Sequence, residues 1–465
     1  MRFKRTIVLV LVAAAVGGFY FFYLYPKVQE KTLIEKLKKR FFRSDTEVID
    51  YIRVQAGPTE PYELTKTPSG WKITRPRVYE VDQATLRHFF NTLSKAKVKK
   101  VVKTGVRSLR EFGVEKIYAV IAIGYGGQIE VLYLGGENPA KTGNYAYSER
   151  LKTVFLIDKK TARHLYLTLY DFREKRLFPY TKEQIGKVVI KRATDTVQLE
   201  RTPQGWVMVK PVRFPTTEQN MDGLLEVIIT QKAQAFMPWQ RRFEELKKKL
   251  WIGVYGRDGK LLSSGTLRFW GSQWDRQCIY HRDEQPDEAM RVSRTFWSLL
   301  TRDASSFADL RVFRTVQPED IKEIEVRYEN ESYTLQRGSN NWLLDQELAV
   351  PTYRVTPFLN TLMRVSFQKV LFYKSYPRCR KGYFNLKLTL NSGRSLWLRV
   401  CKVDLQKEVS TALMFVPVSP GSPKTRRVWF YLAETSTIPY QAVMSSETVL
   451  AILKGIRALK EAEGA

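Results

Sequence analysis

The stretch RTPQGWVMVKPVRFP, Arg201 to Pro215, decides the fold, because a near copy precedes it: KTPSGWKITRPRV, Lys66 to Val78. Both carry Thr-Pro-x-Gly-Trp and a proline five residues after the tryptophan. In the later copy Pro203 presets φ near about −65° for the first central position of a type I turn. Gly205 then supplies the left-handed backbone that completes a bulged hairpin ahead of Trp206. Pro68 and Gly70 stand in the same relation to Trp71. A third copy is expected around Trp342, where Gly338-Ser339-Asn340-Asn341 replaces the turn and Asn341 takes the glycine position. Asparagine tolerates a left-handed backbone best after glycine, so the same conformation is expected there.

Trp71, Trp206 and Trp342 recur at intervals of 135 and 136 residues. A β-branched run precedes each hairpin (VIDYIRV, IGKVVIKR, IKEIEVRY), and a helical stripe follows it. The stripes are Leu86, Phe89, Phe90, Leu93; then Met221, Leu224, Leu225, Ile228; then a looser Phe358, Leu362, Val365. Each buries one helix face against a sheet. Asp82, Thr217 and Thr356 are the expected N-caps, with Pro357 at a first helical position. Alternating back halves turn at Gly126-Gly127, Asp258-Gly259 and Ser392-Gly393, all hairpin signals. So long a period means duplicated domains rather than a solenoid. The expected fold is α+β: an N-terminal transmembrane helix, then three tandem antiparallel-sheet-plus-helix repeats. The expected segments are an anchor at 1–26, a basic juxtamembrane helix or stalk at 27–45, and repeats at 46–180, 181–316 and 317–465.

Composition bounds the function. The 44% hydrophobic share is that of a folded protein, yet the net charge is +30, which turns attention to anionic partners. MRFKR is followed by an uncharged run from Thr6 and Ile7 through Phe19, Tyr20, Phe21, Phe22 and Tyr23 to Tyr25. That run is long enough to span the bilayer core as a helix, and its aromatic end suits the interface. An uncleaved signal-anchor with its N-terminus inside and its body extracytoplasmic is the expectation. Basic residues on both flanks weaken the orientation signal. The three cysteines, Cys278, Cys379 and Cys401, form no metal-type spacing. Two readings stay open for Cys379 and Cys401: one bridge in an oxidising compartment, or two small buried hydrophobes.

No catalytic constellation emerges. His88, His164 and His281 lack ligand spacing, and HExxH, GxSxG, a P-loop and the Rossmann pattern are missing from the sequence. GYGGQ at Gly124 reads as a hairpin turn because the other repeats turn at the matching place. The acidic cluster Asp283, Glu284, Asp287, Glu288 fits no calcium loop and reads as a solvated turn. Catalytic, cofactor and metal residues are therefore expected to be none. Basic clusters follow each stripe: Lys97, Lys99 and Lys100; Arg241 and Arg242; Arg378 and Arg380. With an anchored body, an anionic lipid or envelope polymer suits them better than nucleic acid.

The anchor, the TPxGW hairpin, REFGVEK (Arg110–Lys116) and DFREKRLFPYTKEQIGKVVIK (from Asp171) together resemble the domain of unknown function 4340 family. Phe112-Gly113-Val114 matches an FGL-type element of that family, and Asp171, Arg173, Lys175 and Arg176 match its D-L-R-D-K-R-like segment. The resemblance is strongest from Met1 to about Pro238. It implies a membrane-anchored extracytoplasmic protein, often encoded beside gliding-motility-type ABC exporters and their auxiliary subunits, and it implies no catalytic residues. The expected function is a non-enzymatic, membrane-anchored accessory component of an ABC-type transport system. One alternative is an envelope scaffold binding anionic lipid or polymer; another is an envelope hydrolase or transferase with an unrecognised site.

Overall fold

The computed structural model describes residues 12–25, 28, 32, 46–106, 109, 112, 118–270, 277–379, 382–408, 415–417 and 425–461. Three nine-stranded antiparallel sheets share one strand order. The first contains β1 (Tyr51–Ala56), β2 (Tyr62–Thr67), β3 (Gly70–Arg75), β4 (Tyr79–Glu80), β5 (Val98–Lys103), β6 (Ala119–Tyr125), β7 (Gln128–Glu137), β8 (Asn144–Ser148) and β9 (Thr153–Ile157). Their order is β4-β3-β2-β1-β6-β7-β8-β9-β5. The second has β10 (Ile185–Lys191), β11 (Thr196–Thr202), β12 (Gly205–Lys210), β13 (Phe214–Pro215), β14 (Ala235–Pro238), β15 (Lys249–Gly256), β16 (Leu261–Trp270), β17 (Gln277–Arg282) and β18 (Glu288–Val292). The third has β19 (Ile321–Tyr328), β20 (Glu331–Arg337), β21 (Asn341–Leu344), β22 (Leu348–Pro351), β23 (Lys369–Val370), β24 (Phe384–Leu390) and β25 (Ser395–Asp404). A separate hairpin, β26 (Phe415–Pro417) and β27 (Thr425–Arg427), precedes its last strands, β28 (Phe430–Thr435) and β29 (Ala442–Ser445).

The repeated hairpins have the expected chemistry. Gly70 and Gly205 sit at φ +110° and +115°, and each preceding threonine, Thr67 or Thr202, donates its hydroxyl to that glycine's carbonyl at 2.6 and 2.7 Å. The Arg75-Pro76 and Lys210-Pro211 bonds at matching places are both cis. The third copy corrects the sequence expectation. Trp342 keeps the register, pairing with Arg337 as Trp71 pairs with Lys66 and Trp206 with Arg201. Asn341, however, is not among the left-handed residues; Asp345 and Gln346 are, in the turn between β21 and β22. The Gly338 N–H donates to the Asn341 carbonyl at 2.8 Å and closes a turn of unchanged length, since Arg337 pairs with Trp342 as Lys66 does with Trp71.

Helices α1 (Gln83–Lys95) and α2 (Lys159–Leu165) belong to the first sheet, with a short α3 (Leu169–Phe172). Asp82 caps α1 by accepting from the Ala84 and Thr85 N–H groups. In the second, α4 (Glu218–Thr230) is capped by Thr217, which accepts from the Asn220 N–H, and α5 (Arg294–Leu300) follows the last strand. In the third, α6 (Thr352–Met363) starts one turn before Thr356, a second correction. The Thr356 hydroxyl bonds the Thr352 carbonyl instead of capping, and Pro357 lies inside the helix. The early start brings Val355 into the core with Phe358, Leu359 and Leu362, and that apolar burial outweighs one backbone bond lost to proline. Each unit thus has a second helix after its last strand; in the third it is α7 (Ser446–Glu461).

Met1–Arg176 and Leu177–Ala465 are separate compact units. In the first, the core gathers Ile52, Val54 and Leu64 from the sheet with Leu86, Phe89 and Leu93 from α1. The second and third sheets share the other unit and one continuous core. They are joined by the Lys369 ammonium to Asp303 at 3.2 Å, the Tyr373 hydroxyl donating to Asp195 at 3.2 Å, and a Phe214–Phe372 ring contact at 5.5 Å.

Residues 12–19 are helical and lead into a π-helical turn, Tyr20–Leu24, whose side chains are exposed, Phe22 to 86%. Among the described residues no helix is long and apolar enough to cross a membrane. Thr6 and Ile7, and most of the expected juxtamembrane segment, lie outside the described residues.

Candidate functional site

The strand order creates a feature that periodicity conceals. From β4 the chain passes through α1 to β5 at the far edge of the sheet, then returns to β6 beside β1. The described residues of that return segment, Val106, Leu109 and Phe112, pack on the face opposite α1. Along β8 the side chains alternate, so that Ala146 joins the helix-side core while Tyr145 and Tyr147 meet Val106, Leu109 and Phe112 of the return segment. In the second sheet Met237, Trp239, Phe243 and Leu246 cover Ile279 and Ala289. In the third, Leu371 and Tyr376 cover Leu432 and Val443. Each sheet is therefore wrapped by a helix on one face and a return segment on the other.

The pins holding the return segments differ. In the third sheet a disulfide joins Cys379 to Cys401 of β25, with Cα atoms 5.9 Å apart. This selects the bridged alternative of the two open from sequence; Cys278 is free and buried. Cys401 lies three residues beyond Leu398, which pairs with Leu386, and Arg268 lies three beyond Gly265, which pairs with Ile252. Arg268 thus holds the equivalent position, and its guanidinium lies 4.9 Å from the Trp239 ring. That ring stacks on His281 at 4.1 Å. Burial holds the Arg268 guanidinium below its ordinary range, against the pull of Glu244 and Asp283.

The basic clusters do not occupy matching places: the first lies on the far-edge strand and the other two in the return segments. Lys99 and Lys100 lie on β5, with Lys97 just before it; Arg241 and Arg242 follow β14, and Arg378 follows β23. Lys97, Lys99, Lys100, Arg241, Arg242 and Arg378 are exposed; Lys99 also donates to the Thr142 carbonyl at 2.7 Å. Arg380 lies outside the described residues. Trp206 and Trp342 are buried, whereas Trp71 is half-buried against Phe90.

His88 and His164 meet edge to face, ring centroids 4.5 Å apart, a contact their sequence spacing does not announce. Partial burial, then repulsion from His88, Lys160 and Arg163, holds the His164 imidazole below its usual range. Among the described residues no group of three or more His, Cys, Asp or Glu is arranged to hold a metal ion. The acidic cluster closes the β17–β18 turn: Asp283 accepts from the Trp251 indole at 2.9 Å and the Ser264 hydroxyl at 2.5 Å, and Glu284 from the Ser264 N–H at 3.3 Å. Gly126 and Gly127, at φ +54° and +80°, form the β6–β7 turn.

A network of partly buried polar side chains sits beside the disulfide. Glu434 of β28 accepts the Cys379 N–H at 3.2 Å and the Gln441 amide at 2.8 Å. Arg399 of β25 donates to the Cys379 carbonyl at 3.1 Å and to the Asn385 side chain at 3.3 Å. Sequence inspection missed Trp397, Arg399, Glu434 and Gln441; the signal was the outward alternation of Trp397, Arg399 and Cys401 along one strand.

A model of a domain-of-unknown-function family, DUF4340, matches residues 71–250 and 252–381, about two thirds of the chain. The chain belongs to the DUF4340 family. No curated protein matches it. Within this DUF4340 chain, the segment that carried the resemblance does structural work. Asp171 accepts from the Thr168 N–H and hydroxyl, both at 2.7 Å, and the Arg173 guanidinium covers the Tyr79 ring at 3.7 Å. Lys175 donates to the Asp171 carbonyl at 2.7 Å, and Arg176 pairs with Glu174 at 2.6 Å. Phe112 of the FGL-type element belongs to the return segment and packs on β8, 6.2 Å from the Tyr145 ring; Gly113 and Val114 lie outside the described residues.

Proposed function

We propose that this chain is a membrane-anchored, extracytoplasmic interaction protein without a catalytic centre of its own, serving as an accessory component of an ABC-type transport system. The observation that carries the extracytoplasmic body is the Cys379–Cys401 disulfide, because such bonds persist in oxidising compartments and are rare in the cytosol. The uncharged run Thr6–Tyr25 supports the anchor, and the family resemblance supports the transport context. In this reading the β5 lysines of the first sheet and the return segments of the other two, with Arg241, Arg242 and Arg378, present basic surfaces to a partner subunit. A second reading, an envelope scaffold for anionic polymer, is favoured by the cations around Arg399.

Crosslinking in intact membranes, followed by purification, is expected to recover a transporter subunit. Recovery of none, with retained binding to anionic lipid or polymer, would replace the leading reading with the second. A topology reporter at the C-terminus is expected to be active outside the cytoplasm; cytoplasmic activity would overturn the localisation.

A further inference from the structure

Beside the disulfide in the third sheet lies a cavity of about 760 Å³, within the range of sites that hold small ligands. The outward face of β25 and β28 lines it on one side, and the return segment from Leu371 to Cys379 on the other. Three cations, Lys374, Arg378 and Arg399, face one carboxylate, Glu434, so the local field favours an anion. One oxygen of Glu434 already accepts two N–H groups, which further spends its charge.

The aromatic lining narrows the ligand class. Trp397 is 39% exposed, with the Arg399 guanidinium 5.5 Å from its ring. Arg399 is itself held by the Cys379 carbonyl and Asn385, so cation and aromatic face are fixed side by side. A planar ring accepts the apolar face of a sugar, while a guanidinium pairs a carboxylate through two parallel N–H bonds. A second recess of about 400 Å³ adjoins through the same Trp397 and Arg399 and reaches Arg327, with Lys387 there paired to Glu325 at 2.5 Å. That continuity suits an extended chain better than a compact ion. Peptides bind such folds by adding a strand to an open edge, but β25 and β28 are each paired on both sides. Recognition here must go through side chains.

We propose that this cavity binds a carboxylate-bearing oligosaccharide, a short segment of an acidic glycan, with Trp397 stacking on a ring and Arg399 and Arg378 pairing its carboxylates. The inference goes beyond the accessory role and stands whether or not a transporter partner exists.

The test is calorimetric titration of the full-length protein in detergent with trigalacturonate, maltotriose and triglutamate, alongside sedimentation with phosphatidylglycerol vesicles. Trigalacturonate is expected to bind saturably, and both other trimers at least about tenfold more weakly. Arg378→Ala and Trp397→Ala are each expected to weaken trigalacturonate binding about tenfold, with Arg378→Lys recovering part of the loss. Arg378 is exposed on the return segment, so its variants report on binding even if Trp397→Ala fails to fold. No binding, or binding unchanged in the Arg378 variant, would overturn the proposal. Equal affinity for maltotriose or triglutamate, or Arg378-dependent capture by the vesicles in place of trigalacturonate, would overturn the ligand class. Failure to crosslink a transporter subunit leaves these titrations untouched, so the two proposals fail separately.

Discussion

Cutting the Cys379–Cys401 bridge gives the sharpest quantitative test of the wrapped third sheet. The bridge spans a sequence separation of 22. Restricting the unfolded chain across such a loop costs it entropy of roughly 2.1 + 1.5R ln n cal/mol/K, or about 3.4 kcal/mol at 25 °C. Both cysteines belong to the Leu177–Ala465 unit, so the loss should fall there alone. With a urea slope near about 3 kcal/mol/M, the midpoint of that unit should drop by about 1 M. Far-UV circular dichroism and tryptophan fluorescence would follow the oxidised protein, the reduced protein and the Cys379→Ala/Cys401→Ala double variant. In denaturant, one thiol should titrate before reduction and three afterwards, since the chain has three cysteines. Three thiols before reduction would refute the bridge. A midpoint shift confined to the other unit, or none at all, would refute the reasoning about where it acts.

Gly205→Ala, at φ +115°, should destabilise its unit by more than about 1 kcal/mol, and Gly70→Ala should do the same to the other unit. Asn341→Gly should change stability by less than about 0.5 kcal/mol, since Asn341 is not left-handed; urea midpoints check all three. Trp342→Ala, at a fully buried ring, should cost about 3–5 kcal/mol and Trp71→Ala clearly less, so equal losses in the same titration would contradict the packing. Burial pushes the Cys278 thiol from 9.0 up to about 11, so the folded state disfavours its thiolate. That contribution to stability is complete below pH 9 and is lost as the pH rises toward 11. Denaturation midpoints measured from pH 8 to 11 should fall, and less steeply in Cys278→Ala; an unchanged slope would remove Cys278 from the account.

What the sequence disclosed was local. The TPxGW turns, the glycine pairs and the stripes Leu86–Leu93 and Met221–Ile228 each write their geometry within a dozen residues. What it hid was long-range or aperiodic. Nothing near Val98 says that β5 crosses to the far edge to pair with β9, and the return segments have no repeat to announce which face they cover. Helices α2 and α5 are seven residues each, too short to show a stripe. In the third copy the hairpin keeps its length without a left-handed Asn341, Asp345 and Gln346 are left-handed in the next turn instead, and a buried Val355 moved the helix start. The site beside the disulfide needed both the pairing of β25 with β28 and the position of Cys379, neither of which is a local property.

The far-edge strand has a consequence for how the chain must be made. Val98–Lys103 pairs with Thr153–Ile157, Ala235–Pro238 with Glu288–Val292, and Lys369–Val370 with Ala442–Ser445. In each repeat an early strand waits for the last one, so closure is non-local and comes late in synthesis. Ending a chain just before such a last strand would strand both the edge and the segment that follows it. Adding residues between β25 and β28 does no such harm, because the β26–β27 hairpin already sits there and the strand order is intact. New material can therefore accumulate at that turn without reopening the sheet.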